Sequence, residues 1–308
     1  MAVIRSSASD VVSVTRAATV ERVATRIDPV SGVREEAAFV GAGEEELFCV
    51  VYHPVSIPRG GIVICCSLLA EQLKLYRTEV LAARAFASRG FAVIRYHYRG
   101  MGHSGGVTES TTLASMLDDT VRAAEFLAER TGGHSVTFCG ARWGGLLAGL
   151  AASRSSDSSL VMWEPVVDGE RYFREALRAG QMSAVVRGGG TMMTMGQILA
   201  EMEATGYVDT LGYPIHLGLY RSAVRRGLIE VASALPRPVL LIQVSKQERL
   251  KPDLAALVDS FTRSGSRVET ALVRCEEAWS FVGSPVQSTE ALIQTTLAWL
   301  GGETSRHE

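Results

Sequence analysis

A chain of 308 residues with 47% hydrophobic and 21% charged residues has the composition of one large globular domain, or of one domain carrying an insertion. Its net charge of −2, with no block of like charge, excludes the electrostatic footprint of a nucleic-acid-binding protein or of one drawn to an anionic membrane. The longest strongly apolar run, near residues 61–70, is about half a membrane span, and the N-terminus lacks the apolar stretch of a secretory signal.

In chain order, residues 1–33 are rich in Ser, Ala, Thr and Arg and read as a loose arm, with 11–23 able to form a strand or docking segment. Residues 37–40 and 47–53 read as a hairpin around Gly41-Ala42-Gly43. The continuous apolar run 61–66 predicts a strand buried on both faces, and 91–96 a second. Between them 78–89 reads as a helix stopped by Gly90. Leu113, Leu117, Val121, Ala124 and Ala128 form one stripe of a helix over 112–130. A strand at 134–139, a small-residue helix at 143–153 and strands at 160–163, 239–244 and 268–273 follow, with helices at 252–263 and 288–300. Strands alternating with helices predict an α/β protein with a mostly parallel sheet covered on both faces. Residues 168–235 break that rhythm with helical stretches at 169–180 and 192–205, a Gly188-Gly189-Gly190 run and a concentration of methionine. This irregular insertion is a lid candidate.

Five cysteines, Cys49, Cys65, Cys66, Cys139 and Cys275, are an odd number and form no C-x-x-C pair. Reduced, buried thiols in the cytoplasm are expected, with no metal and no cofactor.

The stretch 138–145 reads Phe-Cys-Gly-Ala-Arg-Trp-Gly-Gly. Gly140, Arg142 and Gly144 keep the spacing of Gly-x-Ser-x-Gly, the sharp strand-to-helix turn that presents a nucleophile, with arginine at its centre. A guanidinium stays protonated and cannot serve as a nucleophile. At a helix N-terminus, and with the Trp143 amide beside it, Arg142 has the chemistry to hold a carboxylate, a phosphate or a developing oxyanion. The competing reading is an internal salt bridge from Arg142 to Glu164 or Glu248.

These features resemble the α/β-hydrolase superfamily, and within it the exosortase-associated and serine-aminopeptidase-like hydrolases of bacteria. The resemblance spans about residues 35–300 and is carried by 93–105 (Val-Ile-Arg-Tyr-His-Tyr-Arg-Gly-Met-Gly-His-Ser-Gly), the elbow, 160–169 and 206–216. It implies an α/β-hydrolase fold with its core in 34–167 and 236–301, a helical lid in 168–235 and a tail at 302–308. It also implies that some exosortase-associated members share arginine at the elbow. The triad of the superfamily runs Ser, then Asp or Glu, then His. By that order Arg142 stands at the nucleophile position and Glu248, four residues before Pro252, near the acid position. The base position falls in 274–281, which contains no histidine and places Trp279 there. Ser67 and Leu68 follow the strand whose loop supplies an oxyanion amide. His97 and His103 stand where Asp is frequent. They are the available proton carriers, and Cys65, Cys66, Ser67 and Ser104 are the candidates for a displaced nucleophile.

Three functions are therefore expected in competition. One is an enzyme of atypical chemistry, hydrolase-like or a non-hydrolytic step such as acyl transfer or elimination, on a small acyl, ester, thioester or carboxylate metabolite, with Arg142 binding the anion and His97, His103, Glu164 or Glu248 moving a proton. The second is a non-catalytic ligand binder or biosynthetic scaffold. The third is an ordinary hydrolase with a displaced Ser or Cys. The expected partners are a small anionic or acyl metabolite and either a second copy or a biosynthetic protein, not nucleic acid.

Overall fold

A computed structural model describes residues 20–188, 192–232, 237–274, 277, 279 and 285–304. The strands are β1 Val20–Ile27, β2 Arg34–Val40, β3 Leu47–His53, β4 Gly61–Cys65, β5 Ala92–Tyr96, β6 Val136–Ala141, β7 Ser158–Trp163, β8 Tyr207–Thr210, β9 Tyr213–His216, β10 Pro238–Val244 and β11 Arg267–Val273. The helices are α1 Leu69–Ser88, α2 Leu113–Arg130, α3 Trp143–Ala152, α4 Gly169–Val186, α5 Met195–Thr205, α6 Leu217–Ala223, α7 Leu228–Val231, α8 Pro252–Arg263 and α9 Pro285–Thr304. A nine-stranded sheet has the order β1-β2-β3-β5-β4-β6-β7-β10-β11. The pairs from β1 to β5 are antiparallel, and those from β5 through β4, β6, β7 and β10 to β11 are parallel.

The continuous apolar runs feed two cores. Val63, Phe138, Leu160, Met162, Val239 and Leu241 face the layer of α2, α3 and α8. Their neighbours Ile62, Ile64, Cys139, Val161, Trp163, Leu240 and Ile242 face the layer of α1 and α9. Side chains alternate across a strand, so a strand covered on both sides must be apolar at every position.

Three expectations change. The stretch read as a loose arm contributes β1, which joins the sheet edge antiparallel to β2, while residues 1–19 lie outside the described residues. The helix expected at 78–89 begins at Leu69, because Ala70, Glu71, Gln72, Leu73 and Lys74 are themselves good helix formers. That extension puts Glu71 into the first turn of α1, over the ends of the strands. Between β7 and β10 the chain adds the β8–β9 hairpin and the short α6 and α7 to the two expected helices. The hairpin strands have four residues each, too few for period-2 alternation to be visible in sequence. Of the methionines there, Met202 is buried in the core, Met182 and Met192 are exposed, and Gly189 and Gly190 lie outside the described residues. No described helix is long and apolar enough to cross a membrane.

Candidate functional site

β6 ends at Ala141, α3 begins at Trp143, and Arg142 makes the turn between them with φ 52° and ψ −118°. Such a backbone is strained for any residue with a Cβ. The flanking glycines allow it. A Cβ on Gly140 would strike the carbonyl of Gly144, and one on Gly144 would strike the carbonyl of Cys65. The Gly-x-x-x-Gly spacing is thus a packing requirement of the turn, whatever residue stands at its centre.

The Arg142 side chain is held on three sides. Nε donates to Glu71 Oε1 at 3.0 Å, Nη1 donates to the Glu164 carbonyl at 3.4 Å, and the guanidinium lies 5.5 Å from the Trp279 ring centroid. Nη2 meets no acceptor among the described residues. Burial works against the charge, but Glu71 outweighs it and holds the guanidinium above its ordinary value, fully protonated. Glu71 Oε2 also accepts from Ser67 Oγ at 3.2 Å and lies 3.3 Å from Tyr172 Oη. The internal partner of Arg142 is therefore Glu71, and neither the Glu164 nor the Glu248 carboxylate fills that role. α1 starts early enough to bring a carboxylate over the elbow, and Glu164 is spoken for elsewhere.

Glu164 ends β7 with φ 45° and is 2% exposed. One carboxylate oxygen accepts from the Val244 amide at 2.8 Å and the other pairs with Lys251 Nζ. Lys251 Nζ in turn lies 3.5 Å from Glu277 Oε1. Burial raises the Glu164 carboxyl above the ordinary range, opposed by Lys251 and the Val244 amide. The loop after β10 thus delivers Lys251 to the cleft. Gln243 fixes that loop by accepting from the Lys251 amide at 2.6 Å and donating to the Arg249 carbonyl at 3.0 Å. Glu248, on the outside of the same loop, is 3.2 Å from Arg274, with its side chain 76% exposed.

His97, His103, Ser104, Cys65 and Cys66 line neither of the two lobes that open at the elbow. His97 and His103 stack on each other at 5.4 Å and against Phe48 at 5.2 and 5.0 Å. His97 Nδ1 accepts from the His103 amide at 3.1 Å, and burial, with His103 and Arg95 adding to it, lowers His97 to about 4. Ser104 Oγ donates to the His97 carbonyl at 2.7 Å and accepts from the Phe48 amide at 2.9 Å. Burial pushes the Cys65 thiol up to about 12, and Cys66, also buried, donates to the Tyr96 carbonyl at 3.2 Å. Thiols in that state are poor nucleophiles. In native protein at neutral pH, iodoacetamide should leave Cys65 and Cys66 unmodified and label both once the chain is unfolded. Peptide mass spectrometry reads the difference, and native labelling of either would refute the buried-thiol assignment.

Two adjoining lobes open at the elbow, sharing Arg142, Tyr172, Glu175 and Trp279. The larger, about 440 Å³, is charged: Arg142, Arg171 and Lys251 face Glu164, Asp168, Glu175, Asp253 and Glu277. Arg171 is committed to Glu175 at 2.9 Å and Asp253 at 3.3 Å. The smaller, about 200 Å³, has the walls Leu69, Ala70, Ala176, Ala179 and Leu211. Among the described residues, four other than glycine have positive φ, Leu69, Arg142, Glu164 and Leu211, and all line one lobe or the other. Backbone strain gathers at functional sites because it persists only where surrounding structure enforces it. No described histidine lines either lobe, and no described cluster of His, Cys, Asp and Glu could hold a metal ion. Sequence reading missed Glu71, Tyr172 and Lys251. Lys251 alone carried a local signal, as the residue before the helix-opening Pro252.

A sharp elbow on a central strand, a parallel sheet with helices on both faces and a cleft at the strand ends define the α/β-hydrolase fold. The chain has the α/β-hydrolase fold, and its residues 58–202 match the family model of the serine aminopeptidases, S33. It is similar in fold to a carboxyl esterase from Bacillus coagulans solved with glycerol, at TM-score 0.60 and 11% identity over 92% of this chain and 99% of that one. The esterase Est1E from Butyrivibrio proteoclasticus, solved with ferulic acid, aligns at TM-score 0.58 and 16% identity over 83% of this chain and 96% of its own. Mouse alpha/beta hydrolase domain-containing protein 10 aligns at TM-score 0.57 and 17% identity over 88% and 99% of the two chains. No curated protein matches the sequence.

Proposed function

We propose that the cleft binds a small carboxylate or acyl metabolite through Arg142 and acts on it without an acyl-enzyme. The observation that supports this most is the strained Arg142 turn, whose permanently charged side chain lines both lobes with an Nη2 that meets no acceptor among the described residues. The Trp143 amide, first in α3 and so without an intrahelical acceptor, adds a second donor. Glu164, with its raised carboxyl, and Lys251 beside it form the proton-handling pair. An anion-polarising group next to a proton carrier suits elimination, isomerisation or another proton transfer beside a carbonyl. The reading assigns no reacting role to His97, His103, Ser104, Cys65 or Cys66, which serve packing.

A second reading, a ligand binder with no turnover, draws support from the Arg142–Glu71 pair, which occupies the place of a nucleophile and neutralises it. Isothermal titration with short carboxylates and acyl thioesters tests both. Arg142→Met should weaken carboxylate binding about 10- to 100-fold, the worth of one charge-assisted hydrogen bond. Unchanged affinity would remove Arg142 from the site. If Lys251→Met abolishes turnover and keeps binding, the enzymatic reading stands; binding without turnover of any tested ligand by the wild-type chain selects the second.

A further inference from the structure

β1 closes one end of the nine-stranded sheet and, among the described residues, has no strand on its outer side. Its eight residues, Val-Glu-Arg-Val-Ala-Thr-Arg-Ile, include neither proline nor lysine, which commonly blunt an exposed edge. Residues 24–27 are exposed, Ile27 to 67%.

The hairpin fixes which β1 groups face outward. The Asp28 amide donates to the Val33 carbonyl at 2.9 Å and the Asp28 carbonyl accepts from the Gly32 amide at 2.9 Å, so this residue bonds inward. In an antiparallel ladder that direction alternates from residue to residue. Arg26 and Ala24 therefore bond towards β2, while Thr25 and Ile27 turn their N–H and C=O groups outward. The register then slips by one residue: Ala24 is opposite Ala37, but Arg22 is opposite Ala38 and Val20 opposite Val40. Past this bulge the outward positions are Arg22 and Val20.

A bulge commonly hinders the pairing of an edge, but this one permits self-pairing. Consider two copies of β1 related by a two-fold axis between Val23 and Ala24. Val20 stands opposite Ile27, Glu21 opposite Arg26, Arg22 opposite Thr25 and Val23 opposite Ala24. Each pair joins an even-numbered to an odd-numbered residue. In an unbroken strand outward groups would then meet inward ones, and the one-residue slip corrects this. Val20 meets Ile27 and Arg22 meets Thr25 with all groups outward, which supplies about eight N–H···O bonds across the axis. Glu21 opposite Arg26 of the second copy is an attractive pair, formed twice by symmetry. The Arg26 side chain is 64% exposed and accessible to it.

We infer that two copies of this chain associate edge to edge through β1, antiparallel and centred between Val23 and Ala24, in one continuous sheet. β1 is five places from β6 in the sheet order, about 24 Å at about 4.8 Å per strand, so both clefts stay open. The inference is independent of the chemistry of the cleft.

Sedimentation velocity of the full chain tests the pairing. Wild type should be dimeric at about 100 μM and dissociate on dilution to about 1 μM, as befits a small interface. Thr25→Pro removes an outward N–H and no bond to β2, so it should be monomeric at about 100 μM and keep the wild-type thermal midpoint. The register is read by mixing Glu21→Cys with Arg26→Cys protein and adding diamide, which oxidises adjacent thiols to a disulfide. The mixture should give a reducible cross-linked dimer. Neither variant alone should, because each cysteine lies five residues, about 17 Å, from its equivalent in the second copy. Cross-linking confined to the mixture supports the inference even if Thr25→Pro unfolds; its absence from a dimeric protein places the interface elsewhere and overturns it. A wild-type monomer at about 100 μM also overturns it, and protection of its Thr25 amide from hydrogen exchange would assign the edge to residues 1–19 of the same chain.

Discussion

Arg142→Met and Glu71→Met should each destabilise the fold by about 2 kcal/mol, and the double variant should recover most of that loss. Each single change leaves a charge in a cleft where the two side chains are only 20% and 18% exposed. The expected cost stays below that of a fully enclosed pair because Glu71 keeps Ser67 and Tyr172 as neutral donors when Arg142 is removed. Methionine keeps the apolar contact with Trp279 and isolates the charge. A double-mutant cycle by chemical denaturation reads the coupling, and additive losses would mean that the pair contributes nothing. The coupling should change little with added salt, since partly buried charges are weakly screened. Arg142→Gly should lose less stability than Arg142→Met, because glycine relieves the backbone strain at φ 52°. That comparison separates the conformational cost of the elbow from the electrostatic role of its side chain.

Lys251→Met should cost about 3 kcal/mol at neutral pH by leaving the Glu164 carboxylate buried with only the Val244 amide for a partner. The figure lies at the low end for buried pairs because the Lys251 side chain is itself 35% exposed. The pH dependence has a definite sign. Glu164 titrates higher in the folded protein than in the unfolded chain, chiefly through burial. The folded state therefore binds the extra proton, and stability falls as pH rises from the unfolded glutamate value, about 4.3, through the folded one. Lys251 opposes that shift, so its removal moves the folded value further up and widens the window of loss. Wild type and Lys251→Met should converge towards about pH 4 and diverge towards about pH 8, and Glu164→Gln should flatten the profile. Denaturation midpoints across that range measure it. Parallel profiles for wild type and Lys251→Met would show that Lys251 is not the counter-ion.

The two ion pairs share one arrangement. Arg142 with Glu71 and Lys251 with Glu164 stand at neighbouring strand ends, and the Glu164 carbonyl touches Arg142 while its carboxylate holds Lys251. In the proposed reading, a carboxylate meets Nη2 of Arg142 while Glu71 keeps Nε. The charged lobe is thereby organised before any ligand arrives, and preorganised groups lose less on binding than groups that must first be gathered.

What the sequence determined by itself was local. Alternating apolar strands and amphipathic helices announced a parallel sheet with two covered faces, since each strand carries its burial in its own residues. The elbow was readable for the same reason: Gly140, Arg142 and Gly144 enforce a turn through contacts within a few residues and with one adjacent strand. The absence of histidine from 274–281 was equally plain. Only tertiary structure decided which charges meet. Glu71 lies 71 positions from Arg142 and Lys251 lies 87 from Glu164. No periodicity links such residues; the crossovers of a parallel sheet bring its strand ends to one edge and gather there side chains from distant parts of the chain.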